Sequence, residues 1–209
     1  MLVNEIFESI QGEGTYLGYP ALFIRLQGCN LKCWFCDTKY ALGMYEDGMD
    51  VRPESLVALI RNSPSYHVVF TGGEPLLQQK EIGKVIREVQ RAKFYEVETN
   101  GTIKPNIEFL VHLFTVSPKD DFQISPSFFE IPGVVFKFVV DKEEDLEKIE
   151  NFVDLHNITR PVYLMPQATT LLEHKKKLPM LFEFVKVHQG HYRITPRLQI
   201  LAYGKRKGV

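Results

Sequence analysis

Cysteine and tryptophan are scarce in this chain, three and one among 209 residues. The three cysteines, Cys29, Cys33 and Cys36, are crowded together, and an odd, clustered set makes a poor disulfide framework. Charge of one sign is lacking too. Lys plus Arg number 25 against 26 Asp plus Glu, a net charge of −1, so no basic excess recommends nucleic acid as the main partner. Long hydrophobic runs are absent: Val134-Val135-Phe136 is broken at once by Lys137, far short of the roughly 20 residues that span a bilayer. The first eight residues carry Glu5 and Glu8 and no basic region before an apolar run, so no signal peptide is expected. A soluble, cytoplasmic protein follows, with neither nucleic acid nor membrane as partner.

What is present has globular proportions, 44% hydrophobic and 24% charged, which excludes a disordered or collagen-like chain. No repeat, low-complexity tract or linker divides it, so a single domain over residues 1–209 is expected. Short runs rich in Val, Phe, Ile and Tyr predict strands at 21–26, 67–71, 94–99, 113–117, 134–140, 162–165 and 192–195. Between them, 77–90 places Ile82, Val85, Ile86 and Val89 on one helical face. Asp141 with Glu144 reads as a capping box opening a helix that Leu146, Ile149 and Val153 continue. A third helix, 171–187, carries Pro179, which predicts a kink or a break. Strands alternating with helices mean βα units and a mostly parallel sheet. A complete eight-unit barrel takes about 250 residues. The α/β class is therefore expected as a shortened, open (β/α) partial barrel with three long helices. The basic tail Lys205-Arg206-Lys207-Gly208-Val209 reads as a solvated terminus.

The cysteines follow a predicted strand with the spacing C-x3-C-x2-C. Thiolates so placed on a loop can converge on one metal centre. A closed structural site wants four protein ligands, and the chain has no fourth cysteine. A cubane held by three thiolates leaves one iron open to bind and activate a ligand. Two other readings stay open from spacing alone: zinc held by three cysteines and one of six histidines (His67, His112, His156, His174, His188, His191), or inert buried thiols. A second element is Thr71-Gly72-Gly73-Glu74-Pro75, a strand ending in paired glycines and a carboxylate. Glycines let backbone approach a ligand, and a carboxylate can hold an ammonium. Glu98-Thr99-Asn100-Gly101, Ser117-Pro118-Lys119 and Met165-Pro166-Gln167 end further strands, where parallel sheets bind ligands.

The triplet, with Phe35 before its last cysteine, together with Gly-Gly-Glu-Pro resembles the radical S-adenosylmethionine (SAM) superfamily. Within it, Glu8-Ser9-Ile10-Gln11-Gly12-Glu13-Gly14 and the stretch from Gly18 to Leu31 resemble the 7-carboxy-7-deazaguanine synthase family. The likeness runs over residues 5–38 and returns at Glu98-Thr99-Asn100-Gly101, Ser117-Pro118-Lys119, Thr195-Pro196-Arg197-Leu198-Gln199 and the basic tail. Gln199 stands where members often carry histidine.

The resemblance implies a carbon–nitrogen lyase that converts 6-carboxy-5,6,7,8-tetrahydropterin to 7-carboxy-7-deazaguanine with loss of ammonia, in 7-deazapurine (queuosine) biosynthesis. It implies a 4Fe-4S cluster on Cys29, Cys33 and Cys36, SAM as cofactor, and magnesium on Thr38. SAM would meet Phe35, Gly72, Gly73, Glu74, Ser117, Lys119 and Gln167. The pterin would meet Gln11, Glu13, Arg25, Thr71 and Gln199, with the Arg25 fork on its carboxylate. No catalytic residue beyond cluster and SAM is implied. A one-electron donor such as flavodoxin or ferredoxin and a homodimer complete the expectation. The rivals are a glycyl-radical activase with the same cluster and SAM elements, and a zinc-binding interaction module.

Overall fold

The chain alternates short apolar strands with amphipathic helices because each parallel strand needs a crossover to return to the same end of the sheet. A computed structural model describes residues 1–43, 48–89, 93–188 and 190–209. Nine strands form one sheet: β1 (Leu2–Ile10), β2 (Pro20–Leu26), β3 (Met49–Asp50), β4 (His67–Gly72), β5 (Phe94–Thr99), β6 (Leu113–Val116), β7 (Val134–Val140), β8 (Val162–Pro166) and β9 (Tyr192–Ile194). Their order is β3-β1-β2-β4-β5-β6-β7-β8-β9. β1 pairs antiparallel with β2 and β3, and every pair from β2–β4 to β8–β9 is parallel. β9 and β3 remain the two edges. The open, shortened barrel expected from the sequence is the architecture found.

Helices α1 (Pro53–Asn62), α2 (Gln79–Val89), α3 (Ser127–Glu130), α4 (Glu143–Leu155), α5 (Leu171–Val187) and α6 (Leu198–Tyr203) complete the chain. Four of them run ten residues or more, one beyond the expected three. The addition is α1, whose Pro53 sits where the missing N–H costs nothing. Its Leu56, Val57 and Ile60 are buried. On α2, Ile82, Val85, Ile86 and Val89 face the core as the spacing required, each contributing about 1.5–3 kcal/mol of burial. Gln90, the last position of that expected helix, lies outside the described residues. The segment 100–112 between β5 and β6 holds no helix, which is one reason the barrel is short.

Two local expectations are corrected. α4 is opened by Asp145, whose carboxylate accepts from Asp141 N and Lys142 N at 2.9 and 3.1 Å; Glu144 is not the partner. Pro179 does not break α5, a continuous seventeen-residue helix. The bond that proline forfeits would reach the carbonyl of Lys175, and both residues are exposed, so water replaces it. Among the described residues no helix is long and apolar enough to cross a membrane.

The core lies between sheet and helices, with Phe70, Phe114, Phe136, Phe138, Leu22 and Ile24 all at 2% exposure or less. Strand alternation sends the other face inward. On β2, Leu22, Ile24 and Leu26 join the core while Phe23 and Arg25 line a cavity; on β7, Lys137 and Val139 do the same.

Candidate active site

The cavity has a volume of about 250 Å³ and sits at the carboxyl ends of the parallel strands. Its floor and walls combine the cluster loop (Cys29, Cys33, Phe35, Cys36, Asp37), the ends of β4 and β5 (Thr71, Gly72, Gly73, Glu98), Ser117 and Lys119, Gln167, and the loop Gln11-Gly12-Glu13. Residues from 11 to 209 therefore meet in one place.

The three cysteines are free and half-buried. Burial pushes each thiol above the usual range, and nearby carboxylates, Glu74 for Cys29, Asp120 for Cys33 and Asp37 for Cys36, push the same way. They hold protons until a metal replaces them. Among the described residues no three His, Cys, Asp or Glu side chains converge on a point as a single ion requires, and no histidine lines the cavity. His67 instead pairs with Glu96 at 2.8 Å, and His174 accepts from Arg197 N at 3.2 Å. A fourth, histidine ligand for zinc thus has no candidate here. A cubane spreads three thiolates over three separate irons, and the donor set on this loop fits that group.

Gly72 and Gly73 are required for a reason the sequence concealed. A Cβ on Gly72, which has φ +131, would lie 2.2 Å from Leu26 O; one on Gly73 would lie 2.1 Å from Gly28 O and 2.7 Å from Ala41 O. The glycines let β4 close against the cluster loop, with Gly73 N and Glu74 N donating to Leu26 O and Gly28 O. Glu74 is corrected outright. It is fully buried, does not line the cavity, and accepts from Leu76 N (3.0 Å), Thr99 Oγ1 (2.7 Å) and Asn100 N (2.7 Å). Its carboxylate is a structural knot, Oε1 taking two donors and Oε2 one, buried away from the cavity.

Lys119 Nζ donates to Ser117 Oγ at 2.6 Å and lies 6.0 Å from the Phe35 ring. No carboxylate pairs with it among the described residues. Burial first, then Lys137, pull its ammonium below the usual lysine range. An anion beside the cysteines would be welcome there. Gln167 lines the cavity, with its side-chain oxygen held by Lys177 Nζ at 2.7 Å.

On the opposite side Glu13 carries the densest contacts. Lys137 Nζ meets its Oε2 at 2.6 Å; Arg197 Nε and Gln199 Nε2 meet its Oε1 at 3.1 and 2.7 Å. Burial would raise the Glu13 carboxyl, but Lys137 and then Arg197 outweigh it and hold the group far below the carboxylate range. Gln11 donates toward Glu98 (3.2 Å) and Glu96 (3.4 Å), and Thr71 donates to Glu98 at 2.9 Å. Gln199 Oε1 is buried without a hydrogen bond. Arg25 lines the cavity above the Phe7 ring. Thr38 does not line it: its hydroxyl donates to Asp37 Oδ1 at 2.8 Å, and Asp37 is the residue that faces inward, paired with Arg197.

Lys137, Arg197 and Asp37 were missed as site residues, while Glu98 stood only among the strand ends. A lysine inside the apolar run Val-Val-Phe-Lys-Phe-Val-Val was the available signal, since such a charge stays buried only when paired. The basic tail is exposed from Lys205 to Gly208 as expected, with Lys207 Nζ 3.6 Å over the Tyr40 ring and Val209 lining the cavity.

The radical SAM superfamily model matches residues 23–126. Over 99% of this chain and 96% of the other, the sequence is 39% identical to a 7-carboxy-7-deazaguanine synthase of Pyrobaculum aerophilum. The chain belongs to the 7-carboxy-7-deazaguanine synthase family. An Aquifex aeolicus synthase is 37% identical over 88% of the chain and 85% of its own length. Among solved structures, QueE from Escherichia coli superposes with a TM-score of 0.75 at 25% identity, covering 93% of each chain. Streptococcus suis SuiB, with a TM-score of 0.61 at 13% identity over 85% of this chain and 53% of that one, shares the fold alone. Family membership makes the chain a radical SAM enzyme of the lyase class and sets aside the activase and zinc-module readings.

Proposed function

We propose that this chain converts 6-carboxy-5,6,7,8-tetrahydropterin into 7-carboxy-7-deazaguanine, releasing ammonia. The observation that carries the reading is one cavity lined at once by Cys29, Cys33 and Cys36, by the Gly72-Gly73 shelf with Ser117 and Lys119, and by Gln11, Glu13 and Arg25. A cluster on the three thiolates with SAM bound beside it would supply a carbon radical able to abstract hydrogen. Ser117 and Lys119 present a hydroxyl and a cation for the SAM carboxylate or ribose, Phe35 a ring, and Gln167 an amide. The backbone of Gly72 and Gly73, in place of the Glu74 side chain, offers the polar edge for the amino group. Glu13, kept ionised by its cations, and Gln11 would accept and donate along the pterin edge. Gln199 adds an unpartnered carbonyl, and Arg25 takes the carboxylate.

Magnesium completes the reading through Thr38, whose hydroxyl would turn from Asp37 toward the cavity, the rest of its shell being water and substrate oxygen. A flavodoxin- or ferredoxin-type donor, a homodimer, a single domain and a cytoplasmic location belong to the same proposal. The test is an anaerobic assay of reconstituted protein with reductant, SAM, magnesium and the carboxylated pterin. Arg25→Ala should lower apparent substrate affinity at least about a hundredfold, since it strands a charge in a partly dry cavity, with iron content unchanged. Normal turnover at low substrate would place the carboxylate elsewhere; no turnover by wild type would overturn the reading.

A further inference from the structure

The register of β1 against β2 slips by one residue between Val3 and Glu5. Continued unbroken, the register that pairs Val3 with Leu26 would set Asn4 opposite Arg25. After the slip the residue opposite is Glu5, and such irregularities are a common way to re-aim a side chain beside a site. Glu5 and Arg25 then share the inward face, with side chains only 17% and 18% exposed.

Glu5 Oε2 lies 3.7 Å from Arg25 Nε, and both atoms are buried with no hydrogen bond. The pair is thus close and desolvated, and its closest contact is made at the Nε corner. A guanidinium offers five donors, and bidentate capture of a carboxylate uses two of them in one plane. The Phe7 ring, 5.7 Å from Cζ, limits how the fork can tip. Behind Glu5 stands Tyr40. Burial first, and then the carboxylate facing its hydroxyl, push that phenol up to about 12, against the pull of Arg25. Lys207 lies over the Tyr40 ring. Asn4, Glu5, Phe7, Tyr40 and Lys207 all border one open hollow.

We propose that Glu5 is a positioning residue: from β1 it holds the Nε corner of Arg25 and leaves the two terminal NH2 groups turned to the cavity for a ligand carboxylate. A freely swinging arginine would have to lose its rotamer freedom on binding, and the held one has already lost it. Glu5 is also a carboxylate and so a possible competitor. The closest contact falls at Nε and is no hydrogen bond, which argues against competition. The proposal rests on the functional reading above, in which Arg25 receives the pterin carboxylate.

The experiment is anaerobic calorimetry on the reconstituted, SAM-loaded protein without reductant, titrated with 6-carboxytetrahydropterin and with 6-methyltetrahydropterin, which lacks the carboxylate. Glu5→Gln keeps the size of the side chain and its place against Tyr40. It should weaken the carboxylated ligand about tenfold and leave the methyl analogue within twofold of wild type. In an Arg25→Ala background the same change should have no further effect. A purely structural role would lower both ligands together, and a competing role would tighten the carboxylated one; either result overturns the proposal. Retained preference for the carboxylate in Glu5→Gln removes the positioning role alone. A wild type that shows no preference removes the functional reading, and Glu5 with it.

Discussion

Lys137→Met tests whether the Glu13 cluster is held together as its distances imply. The lysine is 7% exposed and its Nζ lies 2.6 Å from Glu13 Oε2. Removing one partner of a buried pair costs about 3–5 kcal/mol, because the other charge stays desolvated. Here Arg197 and Gln199 remain on Glu13, which sets the loss at the lower end, about 3 kcal/mol. For a chain of this length that lowers Tm by about 6–12 °C. Acidity adds a second reading. Glu13 is held below its ordinary 4.5, so it contributes stability in full above pH 4.5 and loses it as pH falls beneath that. Lys137 is held above its ordinary 10.5, so its share is full below pH 10.5 and lost above. Without Lys137 the carboxyl of Glu13 is depressed less, so the acid limb still begins near pH 4.5 but is shallower and ends at a higher pH. Thermal unfolding followed by circular dichroism from pH 2 to 8 reads both effects. The double variant Glu13→Gln/Lys137→Met removes both charges of the pair, leaves Arg197 on Asp37 and takes from Glu98 only a 4.0 Å contact, so it should recover part of the loss. A single variant melting within about 2 °C of wild type would refute the argument.

Two further outcomes are expected. Glu74→Ala strands three buried donors, at about 1–3 kcal/mol each, so urea unfolding should show at least about 3 kcal/mol lost before any SAM is added; unchanged stability would mean the carboxylate is not the knot described. Gly73→Ala drives a methyl into the carbonyls of Gly28 and Ala41, so iron per chain after reconstitution should fall by more than half, and full iron content would show that the loop yields.

The parallel strands were legible because they are rich in Val, Phe and Tyr: β5 and β7 match the expected 94–99 and 134–140 although Glu96, Glu98 and Lys137 interrupt them. β1 was not, because it is an antiparallel strand near an edge whose nine residues include Asn4, Glu5, Glu8 and Ser9. Two-residue β3 is too short to carry a pattern. In the site, cysteine spacing announced the metal loop since the chemistry needs that residue type and no other. Lys137 and Arg197 announce nothing by spacing: they lie 124 and 184 positions from Glu13, and only folding gives them a partner. Glu74 shows the opposite error. A carboxylate beside glycines invites a ligand, but which way it points depends on Thr99 and Asn100, twenty-five and more residues on.

The cavity is laced shut by residues from far ends of the chain: Leu198 N donates to Gly12 O at 3.0 Å, Gly14 N to Thr195 Oγ1 at 2.7 Å, and Gln199 to Glu13. Synthesis runs in one direction at about 5–20 residues per second, so Glu13 waits roughly 10–40 s for Arg197 to exist. For that interval β1, β2 and β4 can already pair, and the three thiols stand beside a wall that has not been made. The metal loop is therefore born exposed. Cluster delivery to a ribosome-bound chain would meet cysteines without their far wall, while delivery after release would meet the finished cup.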